Sequence, residues 1–211
     1  QKIVLRAEHV SKAFSVKSDR KQQVKAVSDV SLSLRAGETY GLVGESGCGK
    51  STLGRVMSCL IPPTAGQIYF REEEISGLSM KQMQKYRSHI QMVFQDCFAS
   101  LDPRRRVGDT LSEVLAIHNA CPPEDRMSTV VEMMAKVGLQ PEHFFRYPHE
   151  FSGGQRQRIG LARALILHPD VVICDEPVSA LDVSIQSQIL NLLLDLQERG
   201  NHCYLFIAHD M

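Results

Sequence analysis

The chain has 211 residues, with 24 basic against 24 acidic side chains and no formal net charge. That length suits one large domain with a real core, and the charge balance excludes an overall electrostatic attraction to nucleic acid or anionic lipid. Six cysteines, at 48, 59, 97, 121, 174 and 203, form no CxxC pair, no signal-peptide pattern opens the chain, and no run approaches the roughly 18 apolar residues of a membrane span; a soluble intracellular chain with reduced thiols is expected, free to dock on a membrane partner.

KIVLRAEHV and VSDVSLSLRAGE alternate apolar and polar residues, with Val30, Leu32 and Leu34 on one face. They predict strands of an antiparallel sheet with one wet side. The polar, mostly basic VKSDRKQQVK between them reads as a solvated loop. From Thr39 the pattern changes: TYGLVG predicts a short buried strand, then a glycine loop. A helix follows with Leu53, Val56, Met57 and Leu60 on its buried face, stopped by Pro62 and Pro63. GQIYF predicts a strand, REEEISG a charged turn, and HIQMVFQD another strand. Between about Ala99 and Phe151 two helix-like segments, 109–118 and 124–137, predict a helical lobe inserted into an α/β core. VVICDEP is a continuous apolar strand ending in two acids. SIQSQILNLLLDLQERG predicts an amphipathic helix with Gly200 as its stop, and CYLFIAHDM a last buried strand. Alternating strands and helices imply a mainly parallel sheet with active groups at the carboxyl ends of its strands.

Three stretches carry chemistry. Gly44, Glu45, Ser46, Gly47, Cys48, Gly49, Lys50 and Ser51, followed by Thr52, fit the phosphate-binding pattern G-x-x-x-x-G-K-[ST] between a strand and a helix. There the glycines let backbone N–H groups turn inward, the lysine reaches the β- and γ-phosphates, and the serine hydroxyl can ligate Mg²⁺. Asp175 and Glu176 end an apolar strand, where the first acid can hold Mg²⁺ through water and the second can polarise an attacking water; two acids could also merely precede a helix. FSGGQ, residues 151–155, puts a serine and two glycines at the head of a helix, a second anion-binding end without a lysine.

P-loop, SGGQ and Asp-Glu, in that order and over almost the whole chain, resemble the ATP-binding cassette (ABC) ATPases. The resemblance implies an α/β fold: a P-loop NTPase core with an N-terminal antiparallel β-subdomain and an inserted helical subdomain. Residues 1–211 would be a single ABC ATPase domain, 1–96 and 161–211 forming the core and 97–160 the helical subdomain. In that family two cassettes pack head to tail, and Ser152, Gly153, Gly154 and Gln155 would cap, in trans, the γ-phosphate held by the partner's P-loop. Phe14 matches the aromatic that stacks on adenine, though taken alone it would more often be core. Gln95 matches the lid glutamine that reaches Mg²⁺ and the attacking water, Ser179 to Asp182 the loop across the dimer seam, and His209 the switch histidine. The implied catalytic set is thus Lys50, Gln95, Glu176 and His209, with Ser51, Gln95 and Asp175 at the metal and ATP and Mg²⁺ as cofactors.

Within the family, Ser100-Leu101-Asp102-Pro103 and Arg146 to Glu150 look most like ATPase subunits of oligopeptide, dipeptide or nickel importers. That resemblance implies hydrolysis coupled to import on the cytoplasmic side of a membrane. The partners would be a second ATPase subunit, transmembrane permease subunits and, indirectly, an extracytoplasmic solute-binding protein, with no nucleic acid. Arg104 to Arg106 would face a membrane partner or solvent. Members of the group continue well past the switch histidine, so the resemblance also implies a C-terminally truncated chain. A soluble ABC ATPase or an exporter ATPase uses the same core; a repair-type member, however, needs a long coiled coil between P-loop and SGGQ, for which there is no room.

Overall fold

The computed structural model describes residues 2–16, 19–96, 101–178 and 181–208. The chain runs β1 (Ile3–Val16), β2 (Asp19–Arg35), β3 (Thr39–Val43), α1 (Lys50–Met57), β4 (Ala65–Phe70), β5 (Glu73–Glu74), α2 (Met80–Arg87), β6 (Ile90–Val93), α3 (Val107–Ile117), α4 (Arg126–Lys136), α5 (Gly153–Leu165), β7 (Val171–Asp175), α6 (Val183–Gly200) and β8 (Cys203–Ala208). An antiparallel sheet has the order β2-β1-β4-β5, and a second sheet the order β3-β8-β7-β6 with every pairing parallel. The two helical segments expected between the sheet strands are α3 and α4.

β7 explains how the parallel sheet is covered. All five of its residues are buried. Val171 and Ile173 join one apolar cluster with α1 and the antiparallel sheet, through Leu53, Val56, Leu5 and Ile68. Val172 and Cys174 join another, with Ile159, Leu161, Ile189 and Leu193 from α5 and α6 and the lobe residues Leu111 and Met134. An apolar run without alternation is what a strand buried on both faces requires. Each fully buried Leu, Ile or Val contributes about 1.5–3 kcal/mol relative to exposure.

Several sequence expectations are corrected. Over its described residues the polar run 16–25 is no loop: β1 reaches Val16, β2 begins at Asp19, and the two strands continue as a two-stranded ribbon, with Ala13 opposite Lys25, Phe14 opposite Val24 and Ser15 opposite Gln23. Backbone pairing needs no apolar side chains, and alternation appears only where one face is buried, so the ribbon leaves no sequence signal. β3 is not fully buried but the edge of the parallel sheet, with Val43 52% exposed. Leu60 lies past the end of α1 and is exposed. Glu73 and Glu74, expected in a turn, pair with Phe70 and Tyr69. α2 went unread, although Ser79 and Gln82 form a reciprocal capping box, a pattern visible in sequence. The left-handed residue that ends α6 is Asn201, at φ 54°, not Gly200. Gly200 is helical and is needed for space: a Cβ there would lie 2.2 Å from the His202 ring.

Burial pushes the Cys203 thiol up to about 12 and the Cys59 thiol up to about 11, so both stay protonated and act as small apolar groups. Tyr204 is fully buried, its phenol is held above the usual range by desolvation, and its hydroxyl has no hydrogen-bond partner among the described residues. Removing an unsatisfied buried polar atom costs nothing and relieves its desolvation, so Tyr204→Phe should leave stability unchanged or raise it by about 1 kcal/mol. Urea unfolding midpoints check this; a clear loss of stability would contradict it.

Candidate active site

The parallel register levels the strand ends. Val43 lies beside Ala208, Ile207 beside Asp175, and Cys174 beside Val93. Whatever follows these residues therefore emerges along one edge of the sheet, where open α/β sheets bind ligands. The glycine loop 44–49 follows β3, Gln95 comes two residues after β6, and Glu176 follows β7 directly. His209, which follows β8, lies outside the described residues, as do Ser179, Ala180 and Ser100.

Gly47 and Gly49 give the loop its shape, at φ 78° and 98°. At Gly49 there is a second constraint: a Cβ would sit 1.9 Å from the Ala26 carbonyl oxygen on β2. The antiparallel ribbon thus presses backbone-to-backbone on the loop, a contact that no sequence pattern announces. Lys50 opens α1, is only 8% exposed, and folds back so that Nζ donates to the Gly44 carbonyl (2.5 Å) and the Glu45 carbonyl (2.7 Å). The Cys48 sulfur lies 3.9 Å from the same Nζ, on an exposed residue. Glu45 and Ser46 are exposed too, and Thr52 is half-buried on α1.

Ser51 Oγ donates to Asp175 Oδ1 at 2.8 Å, across 124 residues of sequence. Asp175 is 5% exposed, so the carboxylate is buried at the end of β7 with the hydroxyl as its partner. A hydroxyl and a carboxylate side by side are hard oxygen donors, the kind that suits Mg²⁺. Glu176 takes a left-handed backbone, φ 49°, while its N–H donates to the Ile207 carbonyl at 2.9 Å. A residue other than glycine held there stores of order 1 kcal/mol or more, and such strain clusters at functional sites. Gln95 is exposed at the start of the connection to the lobe.

Phe14 is 43% exposed on the β1–β2 ribbon, with Lys12 Nζ 5.3 Å from its ring centre. Its cross-strand partner Val24 is two residues from Ala26, the residue against Gly49. An exposed aromatic face therefore stands on the strand pair that touches the glycine loop.

Residues 152–155 lie elsewhere, at the head of α5. Ser152 is the N-cap: its Oγ accepts from Gln155 N–H at 3.3 Å, and Gln155 Oε1 accepts from Ser152 N–H at 3.0 Å. Gly154 is buried against α6, where a Cβ would come 2.9 Å from Ile185. Among the described residues, no hydrogen bond joins 152–155 to 44–52. The structure thus unites Lys50, Ser51, Asp175 and Glu176 on the sheet edge and keeps the SGGQ turn apart. Sequence reasoning missed Ala26, Arg158 and Gln188, which touch these elements without belonging to any motif; Ile185 was legible only as part of the apolar face of α6.

A sequence model described as ABC transporter matches residues 27–179. The chain belongs to the ABC transporter family. It is 54% identical to the oligopeptide transport ATP-binding protein AppF of Bacillus subtilis, over all of this chain and 66% of AppF. It is 48% identical to the dipeptide transport ATP-binding protein DppF of Escherichia coli, over all of this chain and 64% of DppF. It therefore spans just under two thirds of the length of these relatives. Among solved structures, this ABC chain is similar to the dimeric post-hydrolysis state of the ATP-binding cassette MJ0796 bound to ADP and Pi, with a TM-score of 0.87 and 28% identity over 98% of this chain and 88% of that one. The α/β fold with its antiparallel sheet and helices is the ABC ATPase fold.

Gly47 and Gly49 separate two costs. Gly47→Ala meets nothing within 4 Å, so it should lose only the left-handed backbone penalty of about 1–2 kcal/mol. Gly49→Ala adds a collision with main chain and should lose several times more or displace the loop. Comparing the two by urea unfolding tests the contact; equal losses would contradict it.

Proposed function

We propose that this chain is the ATP-binding and hydrolysing subunit of an ABC importer for peptides or a related small solute, working as one of a pair of cassettes on the cytoplasmic side of a membrane. What supports the hydrolytic role best is the Ser51–Asp175 contact beside Lys50 and Glu176 on one level sheet edge. What supports the solute class is the similarity to AppF and DppF, whose names specify oligopeptide and dipeptide transport. Among the described residues no helix is long and apolar enough to cross a membrane; in this reading the path belongs to permease subunits.

In this reading the backbone N–H groups of Gly44 to Thr52 cradle the phosphates, and Lys50 moves from its own loop carbonyls to the β- and γ-phosphate oxygens. Phe14 offers its exposed face to adenine. Ser51, Asp175 and Gln95 would hold Mg²⁺, which supplies neutralisation of charge on the phosphates when bound. Glu176 orients and polarises the attacking water, and His209 contacts the transferring phosphate. Ser152, Gly153, Gly154 and Gln155 act on nucleotide held by the partner, so ATP closes the pair and hydrolysis releases it. The helical lobe, residues 97–160, carries that motion to the permease as a ligand-driven hinge.

In the intact subunit, Glu176→Gln should bind ATP but not hydrolyse it, and should run as a dimer by light scattering with saturating ATP and Mg²⁺. A persistent monomer would overturn the paired-cassette reading. Alkylation of the exposed Cys48 should fill the cradle and weaken ATP binding by at least about tenfold, or 1.4 kcal/mol, with Cys48→Ala immune. Undiminished affinity after complete labelling would count against a nucleotide at this loop.

A further inference from the structure

The motifs leave unexplained how the head of α5 is held. It rests at three points on α6 and the turn that leads into it. Gly154 packs on Ile185 so closely that a Cβ would lie 2.9 Å from its Cγ2, and a Cβ at Gly153 would lie 3.9 Å from Leu181. Arg158, one and a half turns on, extends a fork: Nη1 donates to the Val137 carbonyl at the end of α4 (2.7 Å), and Nη2 to Gln188 Oε1 on α6 (3.0 Å). Gly138, at φ 77°, makes room for that fork, since a Cβ there would lie 2.8 Å from Nη1. One guanidinium thus ties three helices. Its planar, rigid donors suit two acceptors on different elements, which lysine's single ammonium cannot reproduce.

The first turns of α6 are in turn tied to the end of β7. Leu181, just before α6, donates its N–H to the carbonyl of Val178, three residues past β7 (3.1 Å), and Gln186 Nε2 donates to the Leu181 carbonyl (2.9 Å). The head of α5 and the Asp175–Glu176 strand end are therefore linked through α6. In a head-to-tail pair these two ends of one chain belong to different ATP sites.

We propose that Arg158 and Gln188 are positioning residues: they fix the Ser152–Gln155 helix end against α6 and so couple the two composite ATP sites. This rests on the paired-cassette reading. Gln188 is exposed on the helix surface, so Gln188→Ala should fold normally. Two measurements separate the link from that reading.

In the single chain, exchange of the hydrogen-bonded amides at 155–157 should quicken in Gln188→Ala by about tenfold, with the unfolding midpoint nearly unchanged. This holds whether or not chains pair; unchanged exchange overturns the link. In the assembled dimer, kcat should fall and the Hill coefficient drop toward one, while ATP affinity of the single chain stays the same. Gln188→Glu, which keeps the acceptor for Arg158, should restore both; failure of that rescue overturns the coupling. Quickened exchange together with a wild-type Hill coefficient already at one would preserve the link and overturn the coupling, whereas the paired reading itself falls only if Glu176→Gln stays monomeric with ATP and Mg²⁺.

Discussion

Ser51 and Asp175 are 124 residues apart in sequence and share one hydrogen bond. They meet only because β7 and β8 stand in parallel register next to β3, so that the end of β7 comes level with the loop after β3. Shifting a strand by one residue would turn every side chain to the opposite face and place Cys174 or Glu176 where Asp175 stands. β7 is apolar on both faces, so what opposes that shift is fit. Val171 and Ile173 are packed toward α1 and Val172 and Cys174 toward α5 and α6. Sliding the strand would mismatch side chains of different size and pull Asp170, held by Arg71 and His89, or Glu176 into the core. Packing on both faces of one short strand thereby sets the position of a buried carboxylate to within a hydrogen bond. The chemistry of the edge is a consequence of the core.

The sequence was most legible where chemistry and backbone geometry demand particular residues. Lys50, Ser51, Asp175 and the two left-handed glycines could be located by type and spacing, because few other patterns set glycines, a lysine and a hydroxyl in a row between a strand and a helix. β7 was legible because a two-sided burial leaves a run of apolar residues. The β1–β2 ribbon was not: Ala13 to Ser15 and Gln23 to Lys25 pair through main chain alone, so their side chains carry no instruction. β3 looked buried by composition, yet its place at the sheet edge is decided by which strands pair, a non-local fact. Ala26 was invisible for a related reason. Its role is to present a carbonyl against Gly49, and any residue supplies a carbonyl. Arg158 and Gln188 illustrate the remaining gap: polar residues on helix surfaces are usually solvated, and only the crossing of α4, α5 and α6 gives them partners.

The SGGQ turn shows how one group can hold its own helix and still keep a hydrogen-bond donor to spare. Ser152 caps α5 by accepting the Gln155 N–H, at the long distance of 3.3 Å. Accepting occupies a lone pair and leaves the hydroxyl proton, because a serine hydroxyl is both donor and acceptor. Gln155 returns the bond to the Ser152 N–H through its side chain, so the cap is complete without the serine proton. Ahead of that proton stand the free N–H groups of the first helical turn and the positive end of the helix dipole. Gly153 is exposed and adds no side chain to obstruct them, whereas Gly154 is buried and brings the turn down onto Ile185. The two glycines thus do different things: the first leaves an anion's approach open, and the second sets the height of the turn over α6. A donor-rich helix end without a lysine of its own and the Lys50 loop, open along the sheet edge, are complementary as two halves of a phosphate site. Two chains arranged head to tail bring both halves together at once, which is why the proposed pairing follows from the separation of these elements within a single chain.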